Sequence, residues 1–501
     1  MPRLVVFAMV SVLPAMLRAE SPTFKAGFAE RDITPAIGAE QPGGYGKSYH
    51  RSLHDPCKVR AVVFDDGKTK AALVGLDALF IHRQTTLNVR KAIAAATGIP
   101  EGSILLGASH SHSSGPMAGV MPGEYDHASE FVRKLANEFS TTADPKYLEL
   151  VEKQIVAAVT AAHEARTDVK AGIGRGREDQ VAFNRRFRMR DGTSITHPGQ
   201  GNDAIVEPAG PTDSEVGVIG VWDTNRKKLL GCVVNFACHA TTSPGGISAN
   251  YVYYLEKVIK GNYGADTVVV FLNGTSGDVT QVDNQSPVRH RDPESWAAFV
   301  GGRVGAEAIK VLLTMEPGTL PPVAVRSKVF PIKRRVPDPE RVAKCLEIAQ
   351  RDPRKVDATE WAFAKEIVML DAKLKKEPSV DVEVQAVQVG PAVFITDPAE
   401  FFCAFGLELK AKSGFPFTFP VSLANGCVGY VPTEEAFGPH GGGYETRLTS
   451  YSNLETTAGT QMVAAGLELA KQLKPGVVPA RGKPAPFTQS WSYGNVRPEV
   501  K

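Results

Sequence analysis

The sequence predicts an α/β fold of mixed β-sheets with helices on the outside, formed as one large domain. Two kinds of segment predict this fold. Apolar runs of strand length alternate with longer segments whose apolar residues recur at helical spacing. Some of the strand-length runs also meet at tight polar turns, and the clearest of these, Asp65-Asp66-Gly67, is typical of an antiparallel hairpin.

The elements can be placed in order along the chain. We expect strands at 58–64, 70–76, 103–106, 169–174, 215–222, 228–237, 267–272, 382–396 and 418–423. We expect helices at 83–97, 147–165, 251–260, 296–315, 339–375, 398–412 and 453–473. The sixth helix is placed by Pro398, which suits the first turn of a helix.

The ends of the chain differ from the rest. Residues 1–19 combine a basic start, an apolar core and a small residue at Ala19, so they predict a signal peptide cleaved after that residue. The protein is therefore expected to be secreted or periplasmic. The apolar core is shorter than the ~20 residues of a membrane span, and an uncleaved anchor is the alternative. Residues 476–501 form a Pro-rich tail.

Composition excludes several classes of protein. The chain has 501 residues, 43% of them hydrophobic and 22% charged, with a net charge of +3. This charge is small for such a length and no basic block is interleaved with aromatic residues, so nucleic-acid binding is not indicated. The six cysteines lack CxxC spacing, which argues against a cysteine-rich zinc module.

Two histidines follow the strand at 103–106. His110 and His112 are separated by one residue, so in an extended segment both would point toward the same cavity. Neutral imidazole is a common zinc ligand, and zinc sites use three or four protein ligands. The alternative is a polar loop with two solvated histidines.

A third histidine strengthens the metal hypothesis. His239 also ends an apolar strand, in the segment Phe236-Ala237-Cys238-His239-Ala240-Thr241. Glu400 lies in the Asp397-Pro398-Ala399-Glu400 segment, where it either serves as a carboxylate ligand or interacts favourably with a helix dipole. Arg185, in an aromatic-flanked cationic pair, would by itself indicate a surface salt bridge.

Several of these segments together resemble the catalytic domain of neutral/alkaline ceramidases. The resemblance runs from Asp32-Ile33-Thr34-Pro35 to the final helix. The other segments that carry it are His110-Ser111-His112-Ser113 with Gly115-Pro116, the His239 segment, Gly277-Asp278-Val279-Thr280, Pro398-Ala399-Glu400 and Asn425 with Gly429-Tyr430-Val431-Pro432-Thr433. The resemblance implies that the sheets pack on each other, and that residues 20–475 form the catalytic domain.

The family consists of zinc-dependent amidases that cleave the N-acyl bond of ceramide into a fatty acid and a sphingoid base. The resemblance implies that Zn²⁺ is held by His110, His239, Glu400 and Tyr430. It implies catalytic roles for His112, Arg185 and Tyr444, with Thr280 at a position where the family often has a serine. It also implies a lipid-like N-acyl substrate of sphingolipid metabolism and peripheral contact with a membrane surface.

Two departures from the family pattern widen the expected substrate class. Two serines, Ser113 and Ser114, stand before Gly115-Pro116 where the family has one. The sequence is also expected to lack the C-terminal immunoglobulin-like domain of the longer members. An N-acyl lipid related to ceramide is therefore included in the prediction, while no oligomeric state is indicated.

Two other functions are compatible with the same residues. One is a metallohydrolase that acts on a different ester or amide, such as a phosphate or carbohydrate ester. The other is a catalytically silent protein that keeps the fold and binds a lipid or glycan. The silent protein would hold no stoichiometric zinc, and His110→Ala would leave its ligand binding intact.

Overall fold

The computed structural model describes residues 24–288, 291–480, 493 and 496–501, so the expected signal peptide lies outside the described residues. Its largest sheet has eight strands in the order β12-β11-β10-β5-β1-β2-β3-β4. These strands are β1 (Lys25–Asp32), β2 (Lys58–Asp65), β3 (Lys70–Leu76), β4 (Ile104–Ala108), β5 (Thr167–Arg177), β10 (Glu215–Asp223), β11 (Leu229–Phe236) and β12 (Val268–Asn273). The order mixes antiparallel hairpins with two parallel pairs, β3–β4 and β11–β12.

The eight-stranded sheet folds back on itself at β1 and β5. Only Lys25 with Asp168 and Ala26 with Thr167 pair across this corner. The bend brings β3 onto β12, where a Cβ added at Gly75 would lie 2.4 Å from the carbonyl oxygen of Phe271. Only glycine permits this approach of two backbones. A buried apolar core with contributions from β2, β3, β4, β11 and β12 fills the interior of the fold.

Helices cover the outer faces of this sheet. On one side α3 (Pro145–Glu164) packs against β1 and β2, and α1 (Arg83–Thr97) packs against α3. On the other side α4 (Tyr251–Tyr263) and α5 (Pro293–Thr314) pack against each other, with α5 on β5 and β10 and α4 on β12. The apolar stripe of each helix is buried, which is the arrangement that helical spacing of apolar residues favours.

A second sheet has four strands in the order β14-β15-β16-β18. These are β14 (Val323–Lys333), β15 (Ser379–Val389), β16 (Ala392–Thr396) and β18 (Phe417–Val421). Its outer face is covered by α8 (Cys403–Lys412) and α9 (Ala458–Lys471). Its inner face joins the core of the large sheet through Val387, Phe394 and Phe419.

The remaining elements are short. They are β6 (Phe183–Asn184), β7 (Arg186–Met189), β8 (Ser194–Thr196), β9 (Ile205–Pro208), β13 (Val279–Thr280), β17 (Glu400–Phe401) and β19 (Tyr430–Val431). They pair as β13 with β6, β17 with β19, and β8-β7-β9.

A separate helical cluster is formed by α2 (Glu130–Glu138), α6 (Pro339–Ala349) and α7 (Ala358–Lys376), and α7 packs on both of the other helices.

The predicted fold class is confirmed, since mixed sheets pack on each other with helices outside. Three predicted helices and one predicted strand differ from the structure. The helix expected at 453–473 begins at Ala458, and the strand expected at 382–396 is the antiparallel hairpin of β15 and β16. The segment 339–375 is two helices interrupted around Pro353, and Pro398 does not start a helix, because Glu400 and Phe401 form a strand and α8 begins at Cys403. All six cysteines are free, and four of them are buried. Among the described residues, none of the helices has the length and apolar character of a membrane span.

Candidate metal centre

His110 and His112 lie in the turn that follows β4. The backbone of His110 has a φ of 65°, a left-handed conformation that side chains other than glycine rarely adopt. Backbone hydrogen bonds from Ser109 to Leu76 (2.8 Å) and from Ser111 to Ala78 (3.0 Å) anchor the turn to the end of β3. The turn brings the two Nε2 atoms within 3.3 Å of each other, although His110 is left-handed and not part of the extended segment that the spacing argument assumed.

His239 lies beyond the end of β11, the strand that runs parallel to β12. Its backbone N–H donates to the carbonyl of Val279 (3.0 Å), which fixes the segment against the loop after β12. Because His110 and His239 each follow a buried strand in the folded-back sheet, the fold brings their rings together, with centroids 4.5 Å apart.

Glu400 and Tyr430 lie opposite each other in the parallel pair β17–β19. The backbone N–H of Glu400 donates to the carbonyl of Gly429 (2.9 Å). On its other side, Gly277 approaches so closely that a Cβ there would lie 2.3 Å from the carbonyl oxygen of Glu400. The glycine of the Gly277-Asp278 segment is therefore required by packing against β17.

Three acceptor atoms converge at the centre of this arrangement. Oε2 of Glu400 lies 3.1 Å from Nε2 of His110 and 3.0 Å from Nε2 of His239. Nδ1 of His110 faces the carbonyl oxygen of Leu79 (2.9 Å), and Nδ1 of His239 faces that of Ser276 (2.6 Å). A carbonyl oxygen only accepts, so each neutral ring carries its proton on Nδ1 and turns a lone pair on Nε2 toward the carboxylate.

Lone pairs that face one another in a buried site repel unless a cation lies among them. Oε2 of Glu400 is buried and has no hydrogen-bond donor among the described residues, which fits a position for a cation. Ligands of a tetrahedral zinc ion with bonds of about 2.1 Å are about 3.4 Å apart. The separations of 3.0, 3.1 and 3.3 Å at this centre are close to that value. The residues therefore fit a bound divalent metal.

His112 belongs to the same cluster. The ligand atoms of His110, His112 and His239 all lie within 4.8 Å of one another, so this trio could hold a metal ion. The geometry thus offers two ligand sets: the three histidines, or two histidines with Glu400. Tyr430 is close to both, and its ring stacks on that of His239 with centroids 6.5 Å apart.

The charge states at the centre follow from burial. Burial, together with Arg185 and His110, lowers the pKa of His239 to about 3, and burial likewise holds the pKa of His112 well below its ordinary value. Burial opposes ionisation of Glu400, but positive charge at the positions of His110 and His239 outweighs it and keeps the pKa of this carboxyl well below its usual range, as a bound cation would. Neutral imidazoles beside a carboxylate are the forms that coordinate a metal.

Arg185 borders the centre from the segment between β6 and β7. Its Nε donates to Oε1 of Glu445 at 2.6 Å, and its Nη2 donates to the carbonyl of Gly277 at 2.8 Å. Its Nη1 lies 3.3 Å from Nε2 of His239. The guanidinium also lies 5.3 Å from the ring centre of Tyr430 and 5.9 Å from that of Tyr444. The structure thus brings Arg185, Tyr430 and Tyr444 to one side of the histidines.

A cavity of about 590 Å³ opens at this centre. His110, His112, Glu400, Tyr430 and Tyr444 all line it, so these positions predicted from the sequence face a common space. Thr280 is not among the lining residues of this cavity in the described part of the chain. It is buried in β13, where its hydroxyl accepts from the backbone N–H of Val282 (3.2 Å).

Sequence reasoning missed three residues of the centre. Tyr451 donates from its hydroxyl to Oε1 of Glu400 (2.8 Å), Glu445 holds Arg185, and Tyr45 contacts the ring of Tyr444 with centroids 6.3 Å apart. Glu445 was visible only as the neighbour of Tyr444. Tyr45 lies in a glycine-rich loop whose sequence gave no sign of chemistry, and nothing around Tyr451 distinguished it from a structural tyrosine.

Comparison with solved structures identifies the architecture. The crystal structure of the neutral ceramidase from Pseudomonas aeruginosa superimposes with a TM-score of 0.67 over 92% of this chain and 77% of that chain, at 17% sequence identity. This chain has the neutral ceramidase fold. A structure of a ceramidase complexed with C2 gives the same TM-score over 92% of this chain and 78% of that chain, at 16% identity. No family model and no curated protein matches the sequence.

Within this ceramidase fold, the candidate metal centre lies where segments from three parts of the chain meet. The His110 turn follows the β3–β4 pair, His239 follows the β11–β12 pair, and Glu400 belongs to the β17–β19 pair. A likeness at 17% identity supports the fold only, so the chemistry of this site depends on its own side chains.

Proposed function

We propose that this protein is a secreted zinc-dependent amidase that cleaves the N-acyl bond of ceramide or a related N-acyl lipid into a fatty acid and an amine. The observation that carries this proposal is the convergence of Nε2 of His110, Nε2 of His239 and Oε2 of Glu400 at one point beside a cavity that His110 and Glu400 line. We assign His110, His239 and Glu400 to the metal, with Tyr430 completing the set.

Amide hydrolysis suits this centre because an amide is a poor electrophile and neutral water is a weak nucleophile. His110, His239 and Glu400 would hold a zinc ion, which would supply a Lewis acid for the carbonyl and would lower the pKa of a coordinated water to about 7. Tyr430 is the least conventional ligand, since burial holds the pKa of its phenol well above its ordinary value and Arg185 only partly offsets this.

Arg185 is assigned to the negative charge that develops on the carbonyl oxygen. Its Nη1 is directed at the histidine cluster, while Glu445 and Gly277 hold the other two nitrogens in place. Because Glu445 is fully buried, the guanidinium is fixed before substrate arrives. One well-placed donor of this kind contributes about 3–4 kcal/mol to an acyl-transfer transition state.

His112 is assigned to proton transfer. Its Nε2 lies at the edge of the cluster and its ring lines the cavity, so a proton carried there can reach the departing amine. Its low pKa makes the neutral ring the resting form, so His112 would take up a proton from the attacking water and pass it to the departing amine. Tyr444 also lines the cavity, and we assign it to positioning the substrate beside Arg185.

The proposed biological setting follows from the same assignment. The signal peptide at 1–19 would direct the chain out of the cytoplasm, residues 20–475 would form the catalytic domain, and residues 476–501 would form the tail. A lipid-like substrate implies peripheral contact with a membrane surface during substrate uptake.

The proposal is tested by metal analysis and an amidase assay on the purified protein. We expect about one zinc per chain and release of fatty acid from N-dodecanoyl sphingosine, abolished by a chelator and restored by zinc. His110→Ala and His239→Ala should each abolish hydrolysis and metal content with the fold retained. His163→Ala, on the far end of α3, is the matched control and should change neither.

Two results would overturn the proposal. Wild-type turnover in either His110→Ala or His239→Ala would remove those residues from the centre. A protein that binds N-dodecanoyl sphingosine with no stoichiometric metal would instead be the silent binding protein.

A further inference from the structure

Charged side chains line part of the cavity that contains the histidine cluster. We call this part the charged wall, and it consists of Arg83, Glu124, Arg334, Lys373, Lys376 and Glu377. Lys373, Lys376 and Glu377 come from the end of α7 and the residue after it, Glu124 from the loop before α2, and Arg334 from the residue after β14. A ligand bound at the histidines can therefore extend to the wall within a single space.

The ammonium group of Lys373 has N–H donors that its ion pair with Glu124 does not use. Its Nζ donates to Oε1 of Glu124 (2.9 Å), while Oε2 of Glu124 accepts from the backbone N–H of Met121 (3.0 Å). An ammonium group has three N–H donors. Glu124 is its one acceptor within the described ranges, so two donors of Lys373 are left for a ligand. The side chain is one-fifth exposed, which makes it accessible from the cavity.

Arg334 is a buried cation with weak compensation. Its Nη1 donates to Oδ1 of Asn453 (2.6 Å) and its Nε to the backbone carbonyl of Glu377 (3.1 Å), both neutral acceptors. The nearest carboxylate oxygen is Oε2 of Glu377, 3.8 Å from Nη2, on a side chain that is 44% exposed. Burial accordingly lowers the pKa of Arg334, with only partial relief from Glu377 and Glu124.

The carboxylates around the wall are already used by cations. Glu366, which also lines the cavity, pairs with the buried Lys365 at 2.7 Å. Glu383 is shared between Arg83 (3.1 Å) and Arg90 (2.8 Å), so two cations depend on one carboxylate. Lys376 is exposed at the end of α7 and adds further positive charge. With the partners included, four carboxylates lie around the wall, and the cations there number six. The carboxylates are Glu124, Glu366, Glu377 and Glu383, and the cations are Arg83, Arg90, Arg334, Lys365, Lys373 and Lys376.

We propose that the charged wall binds an anionic group of the substrate, so that the preferred substrate is an N-acyl amide that carries a carboxylate or phosphate. This inference rests on the proposed amidase function and narrows its substrate class. An alkyl chain laid along the wall would strip water from Lys373, Glu124 and Arg334 without giving them new partners, which is unfavourable. An anion would instead accept charge-assisted hydrogen bonds from Lys373.

Pairs of amides with the same acyl chain test whether an anionic group on the amine side raises kcat/KM. The first pair is the dodecanoyl amide of β-alanine, which carries a carboxylate, and that of propylamine, which is neutral. The second pair is the dodecanoyl amides of phosphoethanolamine and of ethanolamine, which tests phosphate in the same way. We expect kcat/KM to favour the anionic member of at least one pair by about ten-fold or more. The pair with the larger ratio identifies the anion.

Variants of the wall test where this preference arises. Lys373→Met should lower the ratio of anionic to neutral kcat/KM by about ten-fold, because it removes the ammonium and leaves Glu124 facing the anion. Adding Glu124→Gln to Lys373→Met removes that residual repulsion, yet the ratio should remain below wild type. Lys375→Met is the matched control, since Lys375 lies on the same helix, pairs with Asp371 and is exposed away from the cavity.

Measuring binding of the amides without turnover allows the charged wall to be tested independently of the amidase proposal. Equilibrium dialysis of the four amides against His110→Ala protein should show the same preference for the anionic members. Anionic preference in binding without hydrolysis by the wild type would support the wall and overturn the amidase. Equal or weaker binding of both anionic members, or an unchanged ratio in Lys373→Met, would overturn the charged wall.

Discussion

The hydroxyl of Tyr451 donates a hydrogen bond of 2.8 Å to Oε1 of Glu400, while Oε2 of the same carboxylate faces His110 and His239. One oxygen is thus held by a donor, and the other is left for a cation. Tyr451 is fixed in turn by its contact with Sγ of Cys427 (3.3 Å) and by stacking on Phe80. The carboxylate is oriented before any metal arrives.

Tyr451→Phe should weaken metal binding without unfolding the protein. Loss of the phenol frees Glu400 to rotate, and removal of such an orienting partner raises metal dissociation constants by about ten- to one-hundred-fold. Competition with a chromogenic chelator measures the change. Tyr263→Phe, at the end of α4, is the matched control and should keep wild-type affinity. Unchanged affinity in Tyr451→Phe would mean that Glu400 does not bind the metal.

His112→Ala separates the two ligand sets. If His110, His239 and Glu400 hold the metal, zinc content should stay near one per chain while turnover falls by about one-hundred-fold or more, because the proton donor is lost. Zinc content by atomic spectroscopy and turnover are measured on the same preparation. Loss of the metal together with activity would instead assign His112 as a ligand, in the trio of histidines.

Arg185 and Glu445 should be strongly coupled in stability. Both are buried, and Nε of Arg185 lies 2.6 Å from Oε1 of Glu445. Arg185→Ala leaves Glu445 buried with only the more distant Arg186, 3.8 Å away, as a cationic partner, so the free energy of unfolding should fall by about 3 kcal/mol. Arg185→Met with Glu445→Gln removes both charges and should recover most of that loss. Urea denaturation of the single and double variants measures the coupling, and additive effects would contradict it.

The buried ion network at Arg60 should make stability depend on acid pH. Burial opposes ionisation of Glu256, but Arg60 and Lys58 outweigh it and lower the pKa of this carboxyl to about 2. The unfolded value is about 4.3, so the stabilisation is present above that pH and is lost as pH falls toward 2.

Glu256→Gln isolates this contribution. At neutral pH the variant should be less stable than wild type by up to ~3 kcal/mol, and the difference should shrink between about pH 4 and pH 2. Thermal unfolding at a series of pH values measures it. Glu149→Gln, on an exposed position of α3, should track the wild type throughout. A gap that stays constant down to pH 2 would show that Glu256 is not ionised in the folded protein.

The sequence predicted correctly those elements whose structure depends mainly on residues close together in the chain. The hairpin strands around Asp66-Gly67 and helix Arg83–Thr97 agree with the structure to within one residue, because a tight turn and a helical stripe are local signals. The dyad of His110 and His112 was visible for the same reason. The helix expected at 398–412 is present, but its start at Pro398 was wrong, since pairing of Glu400 with the distant Tyr430 outweighs the helix preference and α8 begins at Cys403.

Long-range partners could not be predicted from the residues alone. Tyr451 and Glu445 act through Glu400 and Arg185, and nothing in their own surroundings reveals this. The fold-back of the large sheet was equally hidden, because Gly75 reads as an ordinary strand residue until Phe271 is placed against it. The charged wall needs four segments to meet, and its residues taken singly resemble solvated surface charges.

The left-handed turn at His110 has a consequence for how the centre is completed. The turn is hydrogen-bonded to the end of β3, which is near in sequence, whereas His239 and Glu400 come from segments that are distant in sequence. An ion therefore finds a complete cage only in the finished tertiary structure, unlike a zinc finger, where the metal organises a nascent peptide. If the centre holds a metal as proposed, the ion would bind after the chain has folded.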